Sequence, residues 1–198
     1  MRNEKPKIYG LVLSGGKSTR MGKDKGLIKY HDVPQREYMY QLLGGICDKT
    51  FLSVRNEQEK ELRDNFDYIV DKNEYRGPLN GILSAHAEFP DVAWLVLACD
   101  LPLLNKENIK ELVSQRNLGK VATAFATNKT KLPEPLIAIW EPSGLDKAIT
   151  YMETSKSSCP RKFLINSEIK LVYPKNDEVL YNANSIEEYK YATKQIVQ

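Results

Sequence analysis

The sequence predicts an α/β protein built on a mostly parallel sheet. Short apolar runs of strand length alternate with longer stretches of helical periodicity. Glycine, proline and asparagine breakers fall at the joins between them. The runs at 8–13 and 93–98 are apolar at nearly every position, as strands covered on both faces are.

The first strand is Ile8–Leu13, closed by the breaker Ser14-Gly15-Gly16. Pro34 opens a helix over 35–43, and Gly44-Gly45 stops it. A second strand is expected at 50–54 and a charged helix at 57–65, followed by a short strand at 67–70 that ends at Asp71. Gly77-Pro78 turns the chain into a helix over 79–88, with apolar residues at 79, 82, 83 and 87. AWLVLA at 93–98 is the central strand, and Asn105 caps a helix over 106–115. Strands at 121–126 and 136–140, a helix at 145–153 and a late strand at 170–173 complete the pattern. Ser185-Ile186-Glu187-Glu188 is a capping-box pattern that opens a terminal helix to about Val197. Strands separated by helices imply right-handed crossovers and so a mostly parallel sheet. No repeat or linker interrupts the order, and residues 1–198 read as one domain. In such sheets ligands sit beyond the carboxyl ends of the strands. Those ends carry Ser14-Gly15-Gly16, Ser53, Asp71 and Asp100.

Composition narrows the function. Twenty-nine Lys and Arg against 26 Asp and Glu leave a formal charge of +3, with 41% hydrophobic and 28% charged residues. That is an ordinary globular balance, less basic than a dedicated nucleic-acid binder. No run approaches the roughly 20 apolar residues of a membrane helix. The N-terminal MRNEKPKIYGLVLSGG lacks a secretory core, since Lys17 and Arg20 follow its short apolar run. Cys47, Cys99 and Cys159 are odd in number and far apart, which suits neither a disulfide framework nor paired zinc ligands. The expected setting is a reducing cytoplasm, with neither nucleic acid nor membrane as partner. Residues 1–25 hold seven cations against Glu4 and Asp24, a local charge of +5, and the remainder sums to −2. A small cationic zone beside glycines suits a compact anionic ligand.

The sharpest signal is Leu13-Ser14-Gly15-Gly16-Lys17-Ser18-Thr19-Arg20-Met21-Gly22-Lys23-Asp24-Lys25. Glycines let backbone N–H groups approach a phosphate closely. Arg20 can fork onto phosphate oxygens, and Lys25 supplies a compact charge. The segment matches neither GxxxxGK[ST] nor GxGxxG.

The full pattern resembles the MobA-like nucleotidyltransferase family typified by molybdenum cofactor guanylyltransferase, whose signature reads roughly L-x-G-G-x-S-x-R-M-G-x-D-K. Every fixed position from Leu13 to Lys25 is met. Gly77-Pro78-Leu79-Asn80-Gly81-Ile82 is similar to the family's G-P-L-x-G-I segment, and Cys99-Asp100-Leu101-Pro102 to its C-D-x-P. Glu134-Pro135-Leu136, Arg161-Lys162-Phe163-Leu164 and Asn182-Ala183-Asn184-Ser185 resemble weaker motifs further on. The resemblance implies a Rossmann-like three-layer α/β/α nucleotidyltransferase fold. It implies transfer of GMP from GTP to molybdopterin, with pyrophosphate released and Mg²⁺ required. It also implies transient contact with molybdoenzymes or cofactor-insertion proteins, because a fragile product must be handed over.

The same resemblance assigns roles. Arg20, Lys25 and Asp100 would be catalytic, with Asp100 as the magnesium ligand and Arg20 and Lys25 on the triphosphate. Leu13, Ser14, Gly15 and Gly16 would contact the nucleotide, and Asp71 would accept from guanine N1–H and N2–H₂. Relatives often carry Asn where Ser53 stands, which leaves that contact open. Asp71 also reads as an exposed turn residue, Asp100 as a turn cap, and Asn182 and Asn184 as either ligand contacts or a cap for the last helix. Tyr38, Tyr40, Tyr68 and Tyr75 are candidates for a pterin groove. Cys99 reads as a core thiol, and His31 and His86 as exposed or packing residues. Two rival functions remain: a relative using CTP or a sugar-phosphate acceptor, and a non-catalytic nucleotide-binding cofactor carrier.

Overall fold

The structure is a computed structural model that describes residues 5–14, 24–62, 66–155 and 157–197. Its centre is a seven-stranded sheet of order β3-β2-β1-β4-β6-β5-β7. The strands are β1 (Ile8–Leu13), β2 (Lys49–Val54), β3 (Tyr68–Val70), β4 (Ala93–Ala98), β5 (Ala122–Ala126), β6 (Pro133–Trp140) and β7 (Lys170–Val172). All neighbouring pairs are parallel except the two that β6 makes, with β4 and with β5. The reversal of β6 has a simple cause. Only residues 127–132 join it to β5, and a parallel crossover needs a dozen or more.

The helices are α1 (Gln35–Gly44), α2 (Asn56–Glu59), α3 (Leu79–Glu88), α4 (Lys106–Ser114), α5 (Pro142–Thr154), α6 (Pro160–Ile165) and α7 (Ile186–Val197). Those packed on the sheet form two layers, because alternate strand residues face opposite sides, and α7 packs instead against Tyr30 and Ala183. Tyr9, Leu11, Trp94 and Val96 pack toward α3, α5 and α6 through Leu79, Ile82, Leu145 and Phe163. Val12, Leu52, Leu95 and Leu97 pack toward α1 and α4 through Met39, Leu43, Ile109 and Leu112. The expected three-layer α/β/α architecture is the observed one.

Local signals act where a side chain or a ring dictates them. Pro34 stands at the start of α1, and Gly45 follows its end. Asn105 caps α4, its side chain accepting from the Asn108 N–H at 3.0 Å. Gly77, at φ +72°, turns the chain into α3 in a conformation that other residues rarely adopt. Four expectations change, the first being that the strand expected at 136–140 begins at Pro133. The charged helix expected at 57–65 is the single turn α2, with residues 63–65 outside the described residues. The helix expected at 145–153 begins at Pro142, whose ring suits a first turn. A further helix, α6, occupies the stretch read only as a motif.

The topology fixes where a ligand can enter. The chain runs from β1 outward to β2 and β3, then returns through α3 to β4 on the other side of β1. This reversal opens a crevice at the carboxyl ends of β1 and β4. Among the described residues, no helix is long and apolar enough to cross a membrane.

Candidate active site

That crevice is a cleft of about 420 Å³. Leu13, Ser14, Lys25, Asp71 and Asp100 all line it, so five residues from four separate segments meet there. Gly15, Gly16 and Arg20 lie outside the described residues.

One end of the cleft is anionic and cationic at once. Asp100 follows β4, and its backbone carbonyl accepts from the Ala183 N–H at 2.9 Å. Lys25 begins a short 3-10 turn (Lys25–Leu27) capped by Asp24, whose carboxylate accepts from the Gly26 N–H at 2.9 Å. Lys25 Nζ stands 3.4 Å from Asp100 Oδ2 and donates to Asn184 Oδ1. Asp100 Oδ1 is buried with no partner among the described residues. Asn184 is itself held by α7, its N–H donating to Glu188 Oε2 at 2.7 Å. That bond, made to a carboxylate at the helix N-terminus, holds Glu188 below the usual carboxylate range. The capping pattern of 185–188 therefore does two things. Ser185 Oγ accepts from the Glu188 N–H at 3.2 Å, while the Glu188 carboxylate reaches one residue further back to Asn184. Asn182 plays a different part, donating to the Leu180 carbonyl at 3.2 Å.

The other end reads as a polar clamp. Asp71 follows β3, and its Oδ1 accepts from Ser53 Oγ–H at 2.7 Å. Burial raises the Asp71 carboxyl, while hydrogen bonds from Ser53 and Asn80 and the charge of Arg55 pull against it. The pair lies against Gly81 of α3, where a Cβ would collide with Ser53 Oγ and come within 3.2 Å of Asp71 Oδ1. The glycine of the G-P-L-x-G-I segment thus has a packing reason here. Ser53, which stands where relatives often carry Asn, holds the Asp71 carboxylate through its Oγ–H bond.

Between the ends, Ser14 is locked to β2. Its N–H and its hydroxyl both donate to the Ser53 carbonyl, at 3.1 and 2.9 Å. The Ser14 carbonyl accepts from Gln58 Nε2 at 3.1 Å, and the same amide donates to Asp24 Oδ2 at 2.6 Å. Gln58 went unnoticed in the sequence because nothing local marks a glutamine in a charged turn as buried. Of the four tyrosines considered for a pterin groove, Tyr75 lines the cleft. The other three are engaged away from it: Tyr38 stacks on His31, Tyr40 packs edge-on to Phe66, and Tyr68 donates to Glu59. Cys99 is a buried thiol that burial pushes up, in keeping with a core role. His86 is buried and pairs with Asp146 at 3.0 Å, and His31 meets the Pro102 carbonyl at 2.8 Å.

In open α/β sheets ligands bind in a crevice placed as this one is, beyond the carboxyl ends of the strands where the strand order reverses. Residues 10–168 match the MobA-like NTP transferase domain family, and the chain belongs to that family. It is 39% identical to a molybdenum cofactor biosynthesis bifunctional protein of Synechocystis, over 92% of this chain and 52% of that protein. The chain thus spans about half the length of that relative. It is 30% identical to a molybdenum cofactor guanylyltransferase of Pseudomonas fluorescens, over 88% of each. In fold it is similar to molybdopterin-guanine dinucleotide biosynthesis protein A of Archaeoglobus fulgidus, with TM-score 0.79, 20% identity, and 96% and 98% of the two chains covered.

Proposed function

We propose that the protein transfers GMP from GTP to molybdopterin, forming a guanine dinucleotide and releasing pyrophosphate. The observation that carries this reading is the span of the cleft, with Asp71 and Ser53 at one end and Lys25, Asp100 and Asn184 at the other. The named relatives in molybdenum cofactor synthesis support the choice of substrates.

In this reading Asp71 accepts from the guanine N1–H and N2–H₂, held in place by Ser53. Backbone groups at Leu13 and Ser14 border the base. Lys25 faces the triphosphate, and Arg20 is the second cation this reading assigns to it. A phosphate oxygen of the pterin attacks the α-phosphorus. The new P–O bond forms as the bond to the bridging α–β oxygen breaks, and pyrophosphate leaves with that electron pair. Such a reaction depends on positioning and on charge stabilisation rather than on a protein nucleophile.

A divalent cation fits the residues present. The buried Asp100 Oδ1 lacks a partner among the described residues, and Asn184 Oδ1 lies on the same lysine, an all-oxygen donor set suited to Mg²⁺. Asp100 would hold the ion, with Asn184 beside it, and the ion would neutralise charge growing on the phosphates. The remaining ligands would come from phosphate oxygens and water, since the described residues hold no cluster of three acidic, histidine or cysteine side chains.

Incubation with molybdopterin, Mg²⁺ and each nucleoside triphosphate, followed by mass analysis, tests the proposal. GTP alone should yield the dinucleotide mass. Strict preference for CTP or UTP would overturn the guanine assignment. Tight GTP binding without turnover would instead favour a cofactor carrier.

A further inference from the structure

Behind the cleft lies a side chain that neither substrate nor core packing accounts for. Gln58, in α2, is 3% exposed. Its Nε2 donates both protons outward, to the Ser14 carbonyl at 3.1 Å and to Asp24 Oδ2 at 2.6 Å. Its Oε1 accepts from the Arg55 N–H at 3.0 Å. The amide has one workable orientation. Turned over, its oxygen would face a carbonyl and a carboxylate, and its NH₂ would face an N–H. A buried amide so committed is costly to disturb, because each partner would be left unsatisfied.

The partners matter more than the bonds. Ser14 is fixed to β2 through the Ser53 carbonyl, on the Asp71 side of the cleft. Asp24 caps the turn that begins with Lys25, on the Asp100 side. The Ser14 carbonyl and the Asp24 carboxylate are both acceptors, so without Gln58 nothing among the described residues joins them and their partial charges favour separation. We propose that Gln58 is a positioning residue for the nucleotide, setting the distance between the base-side segment at Ser14 and the phosphate-side turn at Asp24–Lys25. The inference rests on the guanylyl-transfer reading above. A ligand that engages both segments at once feels the spacing. A ligand that engages one does not.

That distinction gives the test. Binding of GTP, guanosine and inorganic pyrophosphate is measured on folded wild-type protein, Gln58→Leu, Gln58→Glu and the double variant Gln58→Glu/Asp24→Asn, each checked by thermal melting. Gln58→Leu and Gln58→Glu should weaken GTP about tenfold, the scale of one charge-assisted hydrogen bond. Guanosine and pyrophosphate should each change less than about twofold. In the double variant the amide introduced at position 24 keeps its oxygen on the Gly26 N–H and donates to the carboxylate introduced at position 58. The Ser14 carbonyl would still face an acceptor, so GTP affinity should then recover in part only, an interaction read as non-additivity. Unchanged GTP affinity in either single variant would overturn the proposal. So would equal losses on GTP and its fragments with no recovery in the double variant. If wild-type protein takes CTP in place of GTP, the guanine reading fails, and the same contrast on CTP, cytidine and pyrophosphate decides the role of Gln58.

Discussion

Two ion pairs in this chain have the same formal composition and opposite construction. Arg116 and Glu141 meet through two parallel bonds of 2.6 and 2.7 Å, and Arg116 also donates to the Pro6 carbonyl at 2.8 Å. Their side chains are 1% and 3% exposed. The pair ties the stretch after α4 and the start of α5 to the N-terminal segment, with both carboxylate oxygens committed. Lys25 and Asp100 meet through one long contact of 3.4 Å, with side chains 26% and 22% exposed and the second carboxylate oxygen unpartnered among the described residues. A closed pair has nothing left to offer a ligand. An open pair keeps donor and acceptor capacity for one, and the fold maintains it without depending on it.

The contrast breaks if the two pairs respond alike to mutation. Arg116→Ala should show the largest effect of any change considered, because it leaves the Glu141 carboxylate buried and uncompensated. Loss of about 3–5 kcal/mol in denaturant unfolding is expected, with KM for GTP unchanged in the protein that remains folded. Replacing both partners by Met and Leu should recover most of that stability. Asp100→Ala should do the reverse. Transfer should fall by about 10²–10³-fold, the scale of removing a central electrostatic group. The unfolding midpoint should barely move, since a partly exposed monodentate pair contributes about 0–1 kcal/mol. Near-normal turnover at saturating Mg²⁺ would remove Asp100 from the site.

Lys25→Ala comes next in size. Loss of a charge-assisted phosphate contact costs about 1.5–3 kcal/mol, so kcat/KM should drop tenfold or more. The variant also frees Asp100 Oδ2 and Asn184 Oδ1 from their shared cation. An unchanged kcat/KM would mean that Lys25 only screens Asp100.

The two ends of the cleft were not equally legible in the sequence. Ser14, Asp71 and Asp100 could be located because each follows a recognisable strand, and parallel strands place their carboxyl ends together. Lys25 could be located as a cation of the glycine-rich segment after the first strand and as the last position of the motif that segment resembles. The link from Lys25 to Asn184 could not, because it spans 159 positions and depends on how α7 docks. Asn182 and Asn184 read equally as ligand contacts or as a cap, and Asn184 is tied to α7 through Glu188 while its side chain accepts from Lys25. Gln58 is the clearest omission. Its burial comes from Ser14 and Asp24, both far from α2 in sequence, so no local periodicity could reveal it. The reversal of β6 was readable in principle, since six residues cannot make a crossover, but apolar runs carry no sign of direction.

The smallest expected effect sharpens the comparison at the Asp71 end, where stability and binding should part in mild acid. Burial is the largest influence on Asp71 and raises its carboxyl above the ordinary value. The folded protein therefore holds this proton more tightly than the unfolded chain. Stability from this group increases as pH falls through the window between the unfolded and folded values, and at neutral pH the ionised group costs stability. In the proposed reading Asp71 meets guanine as an ionised acceptor, so GTP affinity should decline over that same window. Asp71→Asn removes the buried charge and keeps an oxygen for Ser53 Oγ–H. Its melting temperature at pH 7 should equal or slightly exceed that of the wild type, while GTP affinity falls about tenfold and the acid decline disappears. An acid decline that persists unchanged in Asp71→Asn would assign it to another group and leave Asp71 a turn residue.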